Sequence, residues 1–169
     1  TALLTGISGY IGLYCAKDLL EAGYAVRGTV RNQSKGQEVR DTLTAASVDT
    51  TSLSFVELDL NSDRGWNDAV AGCEFVMHVA GPWAIAEPKD PQMAISAAVD
   101  GALRVLRAAQ KAGARRVVFT GAISSMMASM KTGTFGSSDW TNIEAPDVNT
   151  QAKSKTLAEK AAWDFINGQ

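Results

Sequence analysis

The chain predicts a doubly wound α/β domain, a parallel sheet with helices on both faces in three αβα layers. Three observations carry that expectation: short apolar runs alternate with stretches of helical spacing, a glycine-rich turn joins the first run to the first such stretch, and turn residues punctuate the rest. Residues 2–4, Ala-Leu-Leu, form the first buried strand. Residues 10–22 follow as a helix, with Ile11, Cys15, Leu19 and Leu20 near helical spacing and Gly23 as its C′ residue. The run 24–30 is the second strand and 54–58 the third, closed by Asp59-Leu60. A short helix spans 62–71, and a fourth strand, 74–79, ends in Ala80-Gly81-Pro82. A long helix over 91–112 carries Met93, Ile95, Val99, Leu103, Val105 and Leu106 as its apolar face, with Gly113 as its stop. Residues 116–120 make the fifth strand. The stretch 121–148, rich in Gly, Ser, Thr and Met without clear period, reads as a loop region over a ligand, and 149–167 as the last helix. Right-handed crossovers then give the strand order 3-2-1-4-5.

The turn is the most informative segment. TGISGYIG at 5–12 sets Gly6, Gly9 and Gly12 between strand and helix. Gly6 permits the tight turn, Gly9 lets backbone N–H groups approach a pyrophosphate, and Gly12 lets the helix pack closely on the strand; the helix N-terminus favours the anion. A glycine triplet alone is a weak signal, and the spacing here is GxxGxxG rather than GxGxxG. The flanking strand, helix and second strand turn it into a dinucleotide-binding unit, with Ser8, Tyr10 and Ile11 as further contacts from the same turn. At the tip of the second strand, Gly28-Thr29-Val30-Arg31-Asn32 has no carboxylate to hold a ribose 2′-hydroxyl. Arg31, nineteen residues after Gly12, offers a planar cation suited to a 2′-phosphate, which favours NADP(H). The competing reading makes Arg31 a solvated loop cation near Lys35 and Arg40. Ligand is expected across the carboxyl ends of the strands, where the glycine turn, Arg31, Asp59, Val79-Ala80-Gly81 and Thr120 all fall. This is a Rossmann-type arrangement.

Composition narrows the partners. A chain of 169 residues, 46% hydrophobic and 20% charged, suits a single soluble domain over 1–169. A net charge of −2 with scattered basic residues gives no field for nucleic acid. Cys15 and Cys73 read as reduced, buried thiols, and no metal site is expected. No apolar run approaches a membrane span and no basic leader precedes the first strand, so a cytoplasmic protein is expected. His78, within an apolar strand, reads as a packed structural imidazole. Trp66, Trp140 and Trp163 read as packing residues, Trp83 as packing or the mouth of a site, and Met126, Met127 and Met130 as an adaptable wall or core filling.

Six segments together carry a family likeness: TGISGYIG, TVRN at 29–32, LDL at 58–60, HVAGP at 78–82, RRVVFTG at 115–121 and SKTLAEKAAWDF at 154–165. The chain resembles the extended short-chain dehydrogenase/reductases, in the branch of dihydroflavonol reductase, cinnamoyl-CoA reductase and yeast carbonyl reductase. The most specific element is SKTLAEKAAW, and the likeness covers essentially the whole chain. It implies NADP(H) as cofactor and reduction of a small aldehyde or ketone to an alcohol, by a monomer or homodimer. It also implies that Asp59, with Leu60 beside it, lies near the adenine, that Val79, Ala80, Gly81 and Thr120 line the cofactor, and that Lys155 binds the nicotinamide ribose.

Two positions depart from the family pattern. The family's tyrosine, four residues before the lysine, is Gln151 here, and its serine, two residues after the fifth-strand threonine, is Ala122. Carbonyl reduction places negative charge on oxygen and needs a proton there, and an amide cannot release one near neutral pH. Tyr10, Tyr14 and Tyr24 all lie in the first βαβ unit, so none replaces it; Ser124 or Ser125 is the candidate for the lost hydroxyl. The family chain continues past its last helix into a small substrate lobe, which is largely absent here, so the sequence is expected to be a portion of a longer reductase. Three functions follow: a carbonyl reductase with altered serine and tyrosine positions, a non-catalytic NADP(H)-binding or sensor module, and a relative of the sugar-nucleotide epimerases and dehydratases. The intact Lys155 favours the first, with Lys155, Gln151 and Ser124 as its catalytic positions.

Overall fold

A computed structural model describes residues 1–82, 86–129 and 132–168. The chain divides into two compact units, Thr1–Ala80 with Arg104–Thr120, and Gly81–Leu103 with Gly121–Gln169.

The first unit is a five-stranded parallel sheet made of β1 (Ala2–Thr5), β2 (Val26–Val30), β3 (Leu53–Glu57), β4 (Phe75–His78) and β5 (Arg116–Phe119). Its order is β3-β2-β1-β4-β5, as expected from the sequence. The register aligns Ala2 with both Val26 and Phe75, Val26 with Leu53, and Phe75 with Arg116. Side chains alternate across a strand. Leu3 and Leu4, both fully buried, therefore enter different cores. Leu4 packs with Ala16 of α1 (Tyr10–Glu21) and with Val39 and Leu43 of α2 (Gln33–Ala45). Leu3 packs with Trp66, Ala69 and Val70 of α3 (Trp66–Val70) and with Val105, Ala108 and Ala109 of α4 (Pro91–Lys111). Both faces of the sheet are covered. Each fully buried apolar side chain of this kind contributes about 1.5–3 kcal/mol.

Helix α2 was not foreseen. Its thirteen residues are mostly polar, and only Gly36, Val39 and Leu43 are buried, too few to announce a period in sequence. Asn32 starts it, its Oδ1 accepting from Lys35 N at 3.0 Å. Three arginines tie the connections by donating to carbonyls that lack strand or helix partners. Arg27 reaches Ala69 O and Ala71 O, Arg40 reaches Thr50 O and Leu53 O, and Arg104 reaches Leu60 O, at 2.7–2.9 Å. Arg104 also pairs with Asp63.

In the second unit the expected loop 121–148 contains a single helical turn, α5 (Ser124–Met127), which packs along α6 (Thr150–Asn167). Thr141, 2% exposed, pins the loop: its Oγ1 donates to Ser124 O at 2.6 Å and accepts from Ala128 N at 2.9 Å, while its N–H reaches Ser125 O at 2.8 Å. The buried face of α6 is built from small residues, Thr150, Ala152, Ser154, Thr156 and Ala158. Trp140 is half-buried beneath the Lys160 ammonium, 5.2 Å from its ring centre. Trp163 is not a packing residue, being 54% exposed on α6, and Cys15 is only partly buried, whereas Trp66 and Cys73 are buried. Trp83 and Met130 lie outside the described residues; Met126 and Met127 are half-buried. Among the described residues no helix is long and apolar enough to cross a membrane, and no three His, Cys, Asp or Glu side chains group as metal ligands would.

Candidate active site

In the first unit, the sequence-predicted cofactor residues stand at the carboxyl ends of the strands. The chain leaves β1 through Gly6, whose φ of +69° and whose approach to Ala80 exclude a side chain: a Cβ there would sit 2.8 Å from Ala80 Cα. Gly12 is equally constrained, since its Cβ would meet Gly6 O at 2.1 Å. Gly9 differs. Its backbone, φ −83° and ψ 164°, suits any residue, and a Cβ would meet one atom, Gly6 O, at 3.3 Å. Gly9 is the N-cap of α1, and no side chain caps that helix. The N–H groups of the first turn, at Tyr10, Ile11 and Gly12, therefore lack intrahelical acceptors and lie beside exposed residues, Ser8, Gly9, Tyr10 (78%) and Ile11 (53%). Uncapped donors, the positive end of a twelve-residue helix and a missing side chain at Gly9 are the features from which an anion cradle can be built.

Thr5, which sequence reasoning passed over as a strand residue, organises the neighbouring strand end. Its Oγ1 accepts from Val79 N and Ala80 N, both at 3.1 Å, so its own hydrogen goes to His78 Nδ1 at 2.7 Å. That assigns Nδ1 as acceptor and the ring proton to Nε2. His78, 4% exposed and 5.4 Å from the Phe119 ring, is a structural imidazole, as expected. Thr29 Oγ1 accepts from Gly6 N at 3.3 Å, tying β2 to the turn. Arg31 is exposed beyond β2 and makes no hydrogen bond or ion pair among the described residues. Asp59 is exposed and caps its own turn, accepting from Asn61 N at 2.9 Å; Leu60 packs on the core beside it. Thr120, half-buried, is held by its N–H to His78 O at 3.0 Å.

In the second unit, α6 presents Gln151, Lys155 and Glu159 at successive i, i+4 positions, one stripe of one face. Gln151 Nε2 donates to Pro82 O at 3.5 Å. Lys155 Nζ fills the space a side chain on Gly81 would need, 2.8 Å from a Cβ built there. Glu159 Oε2 lies over Gly121, 3.1 Å from the equivalent point. Lys155 is half-buried, and among the described residues no carboxylate lies within ion-pair distance of it. Burial holds its ammonium below the ordinary lysine range. Asn149 starts the helix, its side chain accepting from Ala152 N at 2.9 Å, and Glu87 accepts from Thr150 N at 3.0 Å. These Thr150 hydrogen bonds draw the Glu87 carboxyl below its usual range. Ser125 is 1% exposed and its hydroxyl has no partner among the described residues, so of the two candidate serines the half-buried Ser124 is the more accessible. Glu87 and Glu159 escaped sequence reasoning because carboxylates near a helix usually mark its solvated face.

The sheet order and the uncapped glycine turn define a dinucleotide-binding α/β protein of the Rossmann type. The sequence profile of the NAD dependent epimerase/dehydratase family matches residues 2–168, and the chain belongs to that family. It is 36% identical over 173 residues to dihydroflavonol 4-reductase of Arabidopsis thaliana, covering 98% of this chain and 45% of the relative. The structure is similar to Gre2 of Candida albicans in complex with NADPH, with a TM-score of 0.82 and 27% identity over 99% of this chain and 53% of that one. Yeast methylglyoxal/isovaleraldehyde reductase Gre2 with NADPH matches at a TM-score of 0.84 and 23% identity, over 99% and 53%. The chain thus spans about half the length of these relatives. The likeness to extended short-chain dehydrogenase/reductases holds at family level.

Proposed function

We propose that this chain is the NADP(H)-binding part of an oxidoreductase that reduces a small aldehyde or ketone to an alcohol, with an altered proton-donating apparatus. The observation that carries this reading is the exposed N-terminus of α1 behind Gly9, where no side chain among the described residues caps the first N–H groups. When bound, the dihydronicotinamide supplies hydride. The N–H groups of residues 10–12 take the pyrophosphate, Arg31 pairs with the 2′-phosphate, and Asp59 and Leu60 border the adenine. Val79, Ala80, Gly81 and Thr120 flank the cofactor, and Lys155 donates to the ribose hydroxyls. Gln151 orients the substrate oxygen but leaves its proton to another group. The likeness to dihydroflavonol 4-reductase and to the Candida albicans Gre2 complex with NADPH supports a reduction that draws on NADPH.

A second reading, a non-catalytic NADP(H)-binding module, draws on one specific observation: Gln151 and Ala122 remove both hydroxyls that the family uses. NADPH titration of the unaltered chain and of Gly9→Val, followed by fluorescence or calorimetry, tests what both readings share. Binding is expected for the first and its abolition for the second, with a native circular-dichroism spectrum in both, because the backbone at Gly9 accepts a side chain while the pyrophosphate does not. Unimpaired binding by Gly9→Val would make the turn purely structural.

A further inference from the structure

We propose that Lys155 is itself the proton donor to the substrate oxygen, a role that rests on the reductase reading above and goes beyond ribose binding. The stripe Gln151, Lys155 and Glu159 is the set of polar side chains that α6 lays against residues 81–82 and 121. Gln151 is a carboxamide and has no proton to give. Glu159 is turned to Gly121, a turn of helix further on. Lys155 lies between them, and its Nζ occupies the space left open at Gly81.

Among the described residues, no carboxylate pairs with that ammonium. Glu159, four residues along, has the spacing of a helical ion pair but is not within reach of Nζ. Helix α5, packed along α6, reads Ser-Ser-Met-Met and carries no charge, and Gly81-Pro82 carries none. Glu87 is engaged at Thr150 N, and the neighbouring Lys153 is a like charge. A half-buried ammonium with no counter-ion among the described residues is a stronger acid than an exposed one, which favours its giving up a proton. In the step, hydride forms the new C–H bond at the carbonyl carbon, the C=O π bond breaks, and the oxygen takes a proton from Lys155 Nζ. The neutral amine then regains a proton from water, and NADPH is oxidised to NADP⁺.

Two measurements test this. In the first, the lysines are reductively methylated with ¹³C-formaldehyde and titrated by NMR without cofactor, with Lys155→Arg identifying the Lys155 resonance. Lys155 is expected to titrate below the exposed lysines, and titration together with them would overturn the proposal. The second uses the protein at its natural length with NADPH and a small carbonyl panel. Lys155→Arg keeps the charge and the donors but cannot deprotonate, so it should still bind NADPH while the slow wild-type rate drops by about a hundredfold or more. The wild-type rate should fall as pH rises through the value found by NMR. An unchanged rate in Lys155→Arg, or no wild-type rate above background, would overturn the proposal and leave the cofactor reading standing. Failure of wild type to bind NADPH would overturn both.

Discussion

Lys155 occupies a position that folding alone would not choose. Removing an ammonium from water without a partner disfavours its charged form, so the folded chain binds that proton more weakly than the unfolded chain. The folded-state value is lowered, so the penalty is complete below it and fades as pH rises toward the ordinary lysine value. Lys155→Met should therefore raise Tm at neutral pH, with the gain shrinking in alkaline buffer, while NADPH binding weakens. A melting series from pH 6 to 10 checks the sign, and a lower Tm in the variant at neutral pH would mean that the ammonium has a partner in the fold. Arg31 is the converse case, an exposed guanidinium with no ion pair among the described residues. Its expected service is to a ligand phosphate, where a charge-assisted hydrogen bond contributes about 1.5–3 kcal/mol. Arg31→Ala should weaken NADPH by about tenfold to a hundredfold, leave NADH little changed, and leave Tm unaltered; equal affinity of the wild type for both cofactors in calorimetry would remove the NADP(H) assignment.

At the scale of elements, the start of α6 decides how Gln151 and Lys155 are aimed, and two side chains hold it. Asn149 caps Ala152 N and Glu87 takes Thr150 N. Asn149→Ala should cost about 1 kcal/mol, a fall of roughly 2–4 °C in Tm for a chain of this size, read by calorimetry. Glu87 acts as a carboxylate with a depressed folded-state value, so its contribution is present above the ordinary glutamate value and lost as pH falls through the lowered one. The Tm difference between wild type and Glu87→Gln should accordingly be positive near neutrality and vanish in acid. Five strands were legible because each is a short apolar run between turn residues, and the order followed from crossover handedness. Helix α2 was not, since its side chains face water at all but a few positions, and α5 was not, since four residues cannot display a period. Of the candidate site, the shape of the glycine turn was legible because a motif fixes backbone there, as at Gly6 and Gly12. Thr5, Glu87 and Glu159 were not, because each matters only through a partner 38 to 75 residues away, which no local pattern records.

For the molecule as a whole, the glycine turn and Arg31 lie early in the sequence, while Gln151 and Lys155 share one turn of helix near its end. The glycine turn, Arg31 and Lys155 match the family pattern that the resemblance implies, whereas Gln151 and Ala122 stand where that pattern has hydroxyls. The protein as written should therefore bind NADPH and turn over simple aldehydes and ketones only slowly. Helix α6 already aims position 151 at the backbone of Pro82, and Ala122 is half-buried ahead of α5, so hydroxyls introduced there are expected to leave the helix positions unchanged. Gln151→Tyr together with Ala122→Ser should raise the rate by about two to four orders of magnitude, the contribution of a positioned acid, provided Lys155 is present to lower the new phenol's pKa. Following NADPH oxidation by absorbance across a carbonyl panel, at the protein's natural length, measures it. Adding Lys155→Met to the pair should erase the gain, because the restored groups act as a unit. If the double variant binds NADPH and stays silent, the loss of hydroxyls is not what limits this protein, and the non-catalytic binding module becomes the better account of the fold.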